Sequence, residues 1–183
     1  MQATAVEIET ATTADIPLLL ALIRELAEYE KLCHQVVATE DLLRLALFSS
    51  LPVAHALVAR VGGEPAGFAL YFLNFSTFLA KPGLYLEDLF VRPAFRGRAV
   101  GKRLLAHLAK LAVERDYGRF EWAVLDWNLP ARRFYEALGA QANSPWINYR
   151  ITGEALRRLA AAGDSAALSD GAAASDGAVV SVL

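Results

Sequence analysis

Two carboxylates stand side by side in the apolar run Tyr85-Leu86-Glu87-Asp88-Leu89-Phe90-Val91, and a basic, glycine-containing turn follows it: Arg92-Pro93-Ala94-Phe95-Arg96-Gly97-Arg98-Ala99-Val100-Gly101-Lys102. Acids in a strand suit a proton acceptor or a cation ligand, and equally a solvated strand end. The turn leads into an amphipathic stretch. A helix start carries unpaired N–H groups and the positive end of the macrodipole, so with arginine and lysine nearby it suits a pyrophosphate. The Gly-Lys-Ser/Thr ending of a P-loop is missing, as is the dinucleotide pattern G-x-G-x-x-G. Taken alone, the turn also fits an ordinary loop-to-helix junction. A second element, from Asp126 to Ala140, offers Asn128 as a helix cap with Phe134 and Leu138 facing inward. By its residues alone it is a well-capped helix.

Strands and helices alternate around these elements. Val6 to Glu9 reads as a strand, the polar cluster Thr12 to Asp15 as a helix cap, and Ile16, Leu19, Leu20, Ile23 and Leu26 recur at helical spacing. A second helix is expected over Glu40 to Phe48, capped by Thr39. Ala54 to Val61 and Ala66 to Leu73 read as an antiparallel pair around Gly62-Gly63, followed by a break from Asn74 to Gly83. Pro93 stops the acidic strand, since proline cannot donate to a ladder. A helix is expected from Val100 to about Arg115, a strand over Phe120 to Leu125, a helix from Pro130 to Leu138 closed by Gly139, a strand over Trp146 to Ile151 and a short helix to Ala161. The pattern predicts a mixed α/β sheet with helices on both faces and no internal repeat.

The 183 residues suit one domain, expected over residues 1–162, with a low-complexity tail over residues 163–183 whose run of Ala, Gly, Ser and Asp predicts disorder. A net charge of −2 argues against nucleic acid as a partner. No apolar run is long enough to span a membrane and the start lacks a signal-peptide pattern, so a cytoplasmic protein with no membrane contact is expected. Cys33 is the sole cysteine, which excludes an internal disulfide and a thiolate cluster, and no metal is expected. Cys33-His34, His55 and His107 read as loop, strand and helix residues without chemistry.

The turn Arg-x-x-Ala-x-Gly from Arg96, followed by Asn-x-x-Ala-x-x-Phe-Tyr-x-x-x-Gly from Asn128, resembles the GNAT superfamily of N-acetyltransferases. Glu28-Tyr29-Glu30 and Tyr85-Leu86-Glu87-Asp88 further resemble its diamine (spermidine/spermine) and thialysine branch, and the likeness covers about residues 5–160. The resemblance implies a mostly antiparallel central sheet splayed at an acetyl-CoA cleft. It implies that backbone groups of Leu89, Phe90 and Val91 pair with the pantetheine arm. The diphosphate would rest on Arg96, Gly97, Arg98, Ala99, Val100, Gly101 and Lys102, with a second coenzyme contact at Asn128, Leu129, Pro130, Ala131 and Tyr135. The family usually has glycine at the position of Ala99. Either Ala99 takes helical angles, which alanine accepts readily, or a positive φ costs on the order of 1 kcal/mol, and helical angles are the expectation.

On this resemblance the activity is acetyl transfer from acetyl-CoA to a primary amine of a small molecule: a diamine, a polyamine or a thialysine-like amino acid. An alkylamine with a pKa of about 10.4 must first lose a proton, and Glu87 is the expected base. Tyr135 is expected to protonate the leaving thiolate, by direct attack with no acyl-enzyme. Tyr29, Glu30, Glu87 and Asp88 are expected to bind the amine. Ser76-Thr77-Phe78, where polyamine enzymes carry an acid and a tryptophan, favours the thialysine type. Relatives that pair imply a homodimer. The alternatives are a protein or peptide N-acetyltransferase and a non-catalytic acetyl-CoA-binding sensor.

Overall fold

The computed structural model describes residues 5–144 and 146–163, which form two compact units, one ending at Ala123 and the other beginning at Val124. The first contains β1 (Val6–Thr10), α1 (Ile16–Glu30), α2 (Glu40–Phe48), β2 (His55–Val61), β3 (Glu64–Ser76), β4 (Lys81–Val91), α3 (Val100–Glu114) and β5 (Phe120–Trp122). Its sheet runs β1-β2-β3-β4-β5, antiparallel except for the parallel pair β4–β5. This is the expected mixed, mostly antiparallel α/β architecture.

Side-chain alternation divides the core into two layers. Ala56, Val58, Phe68 and Phe90 meet Ile16, Leu19, Leu22 and Leu26 of α1 and Leu43 and Leu47 of α2. Leu57, Ala59, Leu84 and Leu86, all buried, belong to the opposite face, and α3 lies along β1 to β4 with Leu104, Leu105 and Leu108 buried. The helix starts follow from local chemistry. Thr39 accepts from the Leu42 amide and begins α2, while Pro17 sits in the first turn of α1, where a missing N–H costs nothing. Lys31 in the left-handed region ends α1.

Three elements depart from the expected bounds. The break foreseen over Asn74 to Gly83 is only the turn 77–80, because Asn74, Phe75 and Ser76 pair with Gly83, Pro82 and Lys81. Asn74 is held there by donating to Glu121 on β5 (3.1 Å), which also pairs with Arg119 (2.8 Å). β5 stops at Trp122, short of Leu125. The strand expected over Trp146 to Ile151 does not form: its described residues lie outside any ladder, with Ile147 75% and Tyr149 93% exposed. An alternating segment becomes a strand only when a neighbour supplies hydrogen bonds. In the second unit the described helices are α4 (Leu129–Glu136) and α5 (Gly153–Gly163), with Gly139 (φ 92°) beyond α4 as expected. Tail residues 164–183 lie outside the described residues.

Gly67 on β3 is fixed by close approach. A Cβ there would come within 2.3 Å of the Phe90 carbonyl oxygen on β4. Gly67→Ala must therefore push β4 away, and a loss of about 1–3 kcal/mol in denaturant unfolding is expected. An unchanged unfolding midpoint would show that the strands are not this close.

Candidate active site

The acidic strand is interrupted where the carboxylates sit. Leu70 pairs with Asp88 and Tyr71 with Leu86, which leaves Glu87 as the extra residue of a β-bulge. A regular strand sends neighbouring side chains to opposite faces. The bulge breaks that alternation, so Glu87 and Asp88 line one cavity of about 380 Å³ together with Glu30 from the end of α1. Ile23, Leu26 and Ala27 form one apolar wall, and Leu32, Val36, Val37 and Ala38 of the following segment form another. Three of the four expected amine-site residues thus converge. Tyr29, the fourth, does not line this cavity and instead carries the Arg96 guanidinium 4.9 Å from its ring centroid.

The cavity raises the proton affinity of its acids. Burial, reinforced by the neighbouring charges of Glu87 and Glu30, pushes Asp88 up to about 6, and burial also raises Glu30. The expected base, Glu87, is exposed, so the carboxyl tuned toward neutral pH is its neighbour. The sequence shows the acid pair, but the tuning depends on which walls close around it. The apolar run Val36-Val37-Ala38 was the only hint of the second wall.

β4 also presents an open edge. β5 pairs only with Leu84, Tyr85 and Leu86, so no strand among the described residues covers residues 87–91 on that side. The Arg92 amide is turned to β3, where it donates to Ala66 O (2.9 Å), so the preceding carbonyl, Val91 O, faces the open side. Leu89, Phe90 and Val91 therefore lie along an edge where an extended ligand arm can add as a strand, with Val91 O already accepting from Arg96 Nε (3.1 Å).

Beyond this edge the chain turns sharply into α3. Gly97 (φ 76°) and Ala99 (φ 61°) both take left-handed angles. The expectation of helical angles at Ala99 is thereby corrected. The chain has to swing from Arg96, whose Nε donates to Val91 O (3.1 Å), to Val100, which is 2% exposed, and a left-handed residue at the helix cap makes that swing. The Cβ penalty is on the order of 1 kcal/mol. The first helical bond from this cap runs from the Arg103 amide to Ala99 O (3.0 Å), so the amides of Val100, Gly101 and Lys102 have no acceptor within the helix. Left-handed turns of this kind gather amides into an anion-binding concavity. Arg98 and Lys102 are exposed beside them. Arg92 serves elsewhere: it forks onto Glu25 (2.6 and 2.9 Å) and reaches Pro65 O (3.0 Å), a pairing the spacing did not reveal.

In the second unit Asn128 is buried and its side chain accepts from the Ala131 amide (3.3 Å), which starts α4 as expected. Leu129 and Pro130 are exposed at that start, and Tyr135 is half-buried with its ring 5.4 Å from that of Phe134.

The linkage at Asp88 has a definite sign. Its folded pKa lies above the ordinary carboxylate value of 3.8, so it favours the folded state most in acid, and that contribution is lost as pH rises through about 6. Asp88→Asn is therefore expected to be more stable than the parent at neutral pH, by on the order of 3 kcal/mol, with the gain shrinking as pH falls through about 6 and gone by about pH 3. An equal effect at both pH values would mean that the carboxyl is not buried among like charges.

Comparison with known proteins agrees with this geometry. Residues 22–140 match the acetyltransferase (GNAT) family model. The thialysine N-epsilon-acetyltransferase of Bos taurus is 40% identical over 166 residues, covering 85% of this chain and 97% of the relative. The L-ornithine N5-acetyltransferase of Arabidopsis thaliana is 34% identical over 197 residues, covering 83% and 86%. Among solved structures, an integron cassette protein from the mobile metagenome of V. cholerae superposes with a TM-score of 0.72 at 29% identity, covering 85% of this chain and 97% of that one. The family match over residues 22–140 and these relatives, on a fold with a bulged acidic strand, an open edge and a left-handed turn into α3, give one conclusion: the chain is an N-acetyltransferase of the GNAT family.

Proposed function

We propose that this enzyme moves the acetyl group of acetyl-CoA to the terminal primary amine of a small amino acid or diamine. The observation that carries the reading is the apolar cavity with Glu30, Glu87 and Asp88 in its lining, at the bulge from which the open edge of β4 begins. Carboxylates in an apolar cavity favour an alkyl chain ending in a cation, and the relatives named for thialysine and ornithine point to the same substrate shape.

In this reading the pantetheine arm lies along Leu89, Phe90 and Val91, and the diphosphate rests on the amides from Gly97 to Lys102 beside Arg98. Glu87 takes the ammonium proton directly or through water, with Asp88 beside it holding the cation. The neutral nitrogen then attacks the thioester carbonyl, the C–N bond forms and the C–S bond breaks. The nitrogen's surplus proton passes through solvent to restore the Tyr135 phenol, while Glu87 returns its own proton to water. Tyr135 is assigned to protonate the departing thiolate, whose unperturbed pKa of about 8.5 lies below the phenol's value of about 10. That assignment, and the coenzyme contact at Asn128, Leu129, Pro130 and Ala131, rest on the match of the Asn128–Gly139 motif to the family. Direct attack needs no acyl-enzyme, and Cys33 is exposed and not part of the cavity lining.

Mixing the protein with acetyl-CoA and a panel of thialysine, ornithine, short diamines, spermidine and lysine peptides should release free CoA fastest with the first three. Glu87→Gln should lower kcat by on the order of 10²-fold while leaving coenzyme affinity nearly unchanged. Tight coenzyme binding with no turnover of any amine would favour a sensor, and a preference for peptides would favour protein acetylation. Because the acids must be ionised to hold and deprotonate the amine, kcat/KM should fall as pH drops through about 6, the value to which Asp88 is raised. A flat profile down to about pH 4.5 would remove the carboxylates from the rate-determining chemistry.

A further inference from the structure

Arg96 opens the anion turn, yet its side chain is engaged on two other groups. Its Nε donates to Val91 O at 3.1 Å, on the open side of β4, and its guanidinium stands 4.9 Å from the centroid of the Tyr29 ring. Tyr29 lies on the last turn of α1, next to Glu30, which lines the acidic cavity. One turn earlier on the same helix, Glu25 receives the forked Arg92 guanidinium, which also reaches Pro65 O at the start of β3. The segment after β4 therefore grips α1 at two points one helical turn apart. The Arg92 pair is charge-assisted and only about one-third exposed (28% and 35%), so it is the fixed point. The Arg96 contact is a cation over a ring, 37% exposed at Tyr29, and in sequence it adjoins the turn whose amides are assigned above to the diphosphate.

We propose that Arg96 is a positioning residue that couples the coenzyme site to the amine site, holding Tyr29 and the end of α1 against the coenzyme-bearing edge of β4. The inference rests on the coenzyme reading above. A guanidinium tethered to Val91 O and stacked on Tyr29 is already oriented when the diphosphate arrives. Removing the ring frees it, and the cost of reorienting it falls on coenzyme affinity, although Tyr29 lies on a different element from the anion turn. Reciprocally, a bound coenzyme stiffens the α1 end that carries Glu30.

The test is calorimetric titration of the full chain with CoA, comparing the parent with Tyr29→Leu, Tyr29→Phe, Arg96→Gln and the double variant Tyr29→Leu/Arg96→Gln, each confirmed folded by thermal unfolding. Tyr29→Leu should weaken CoA binding about 3- to 10-fold, the range of a partly exposed cation–π contact. Tyr29→Phe, which keeps the ring, should bind like the parent. The double variant should be no weaker than Arg96→Gln alone, because both changes break the same contact. Unchanged affinity in Tyr29→Leu, equal losses in the Phe and Leu variants, or additive losses in the double variant would overturn the coupling while leaving the acetyltransferase reading intact. Failure of the parent to bind CoA would overturn both.

Discussion

The structure of this site depends on the unequal pairing of one strand. β4 is bonded to β3 along nearly its whole length, but on its other side β5 pairs with three residues only. Backbone N–H and C=O groups are obligatory hydrogen-bonding groups, so an edge left open for part of a central strand is a binding surface for extended chains. The bulge at Glu87 begins where that edge opens, so the grouping of the carboxylates and the open backbone of residues 87–91 are consequences of the same irregularity in one ladder.

The rest of the first unit holds β4 in that state. α1 and α2 cover one face with Phe68 and Phe90 in the buried layer, while α3 lies along the other. Gly67 lets the β3 backbone approach Phe90 closely, and the Arg92–Glu25 pair fixes the end of α1 to the strand's exit. With both flanks held, the left-handed conformations at Gly97 and Ala99 become the accessible way into α3. The strain at Ala99 is small beside the burial of Val100, Leu104 and Leu108 that the helix achieves.

Much of this was legible in the residues. The helical spacing of Ile16 to Leu26 and of Val100 to Ala112, the cap at Thr39, the Gly62-Gly63 turn and the family motif from Arg96 and Asn128 are local patterns, and local patterns survive without knowledge of neighbours. Acid residues were visible at Glu30, Glu87 and Asp88. Their convergence was expected from the family resemblance alone, because it depends on a register shift between Leu70 and Tyr71 that no single-strand pattern encodes. The segment from Trp146 to Ile151 failed in the opposite direction: its alternation is real, but a strand is a property of a pair.

The sequence by itself determined the element types in the first unit, the basic, glycine-containing character of the turn and the family, since each rests on residue types at short spacing. Only the tertiary structure decided how Glu87 and Asp88 come to line one cavity, that burial pushes Asp88 up to about 6, that Ala99 is left-handed and that Arg96 lies on Tyr29. Each of these depends on what another strand or helix brings alongside, and burial, register and the direction of a chain reversal are set by contacts between residues distant in the chain.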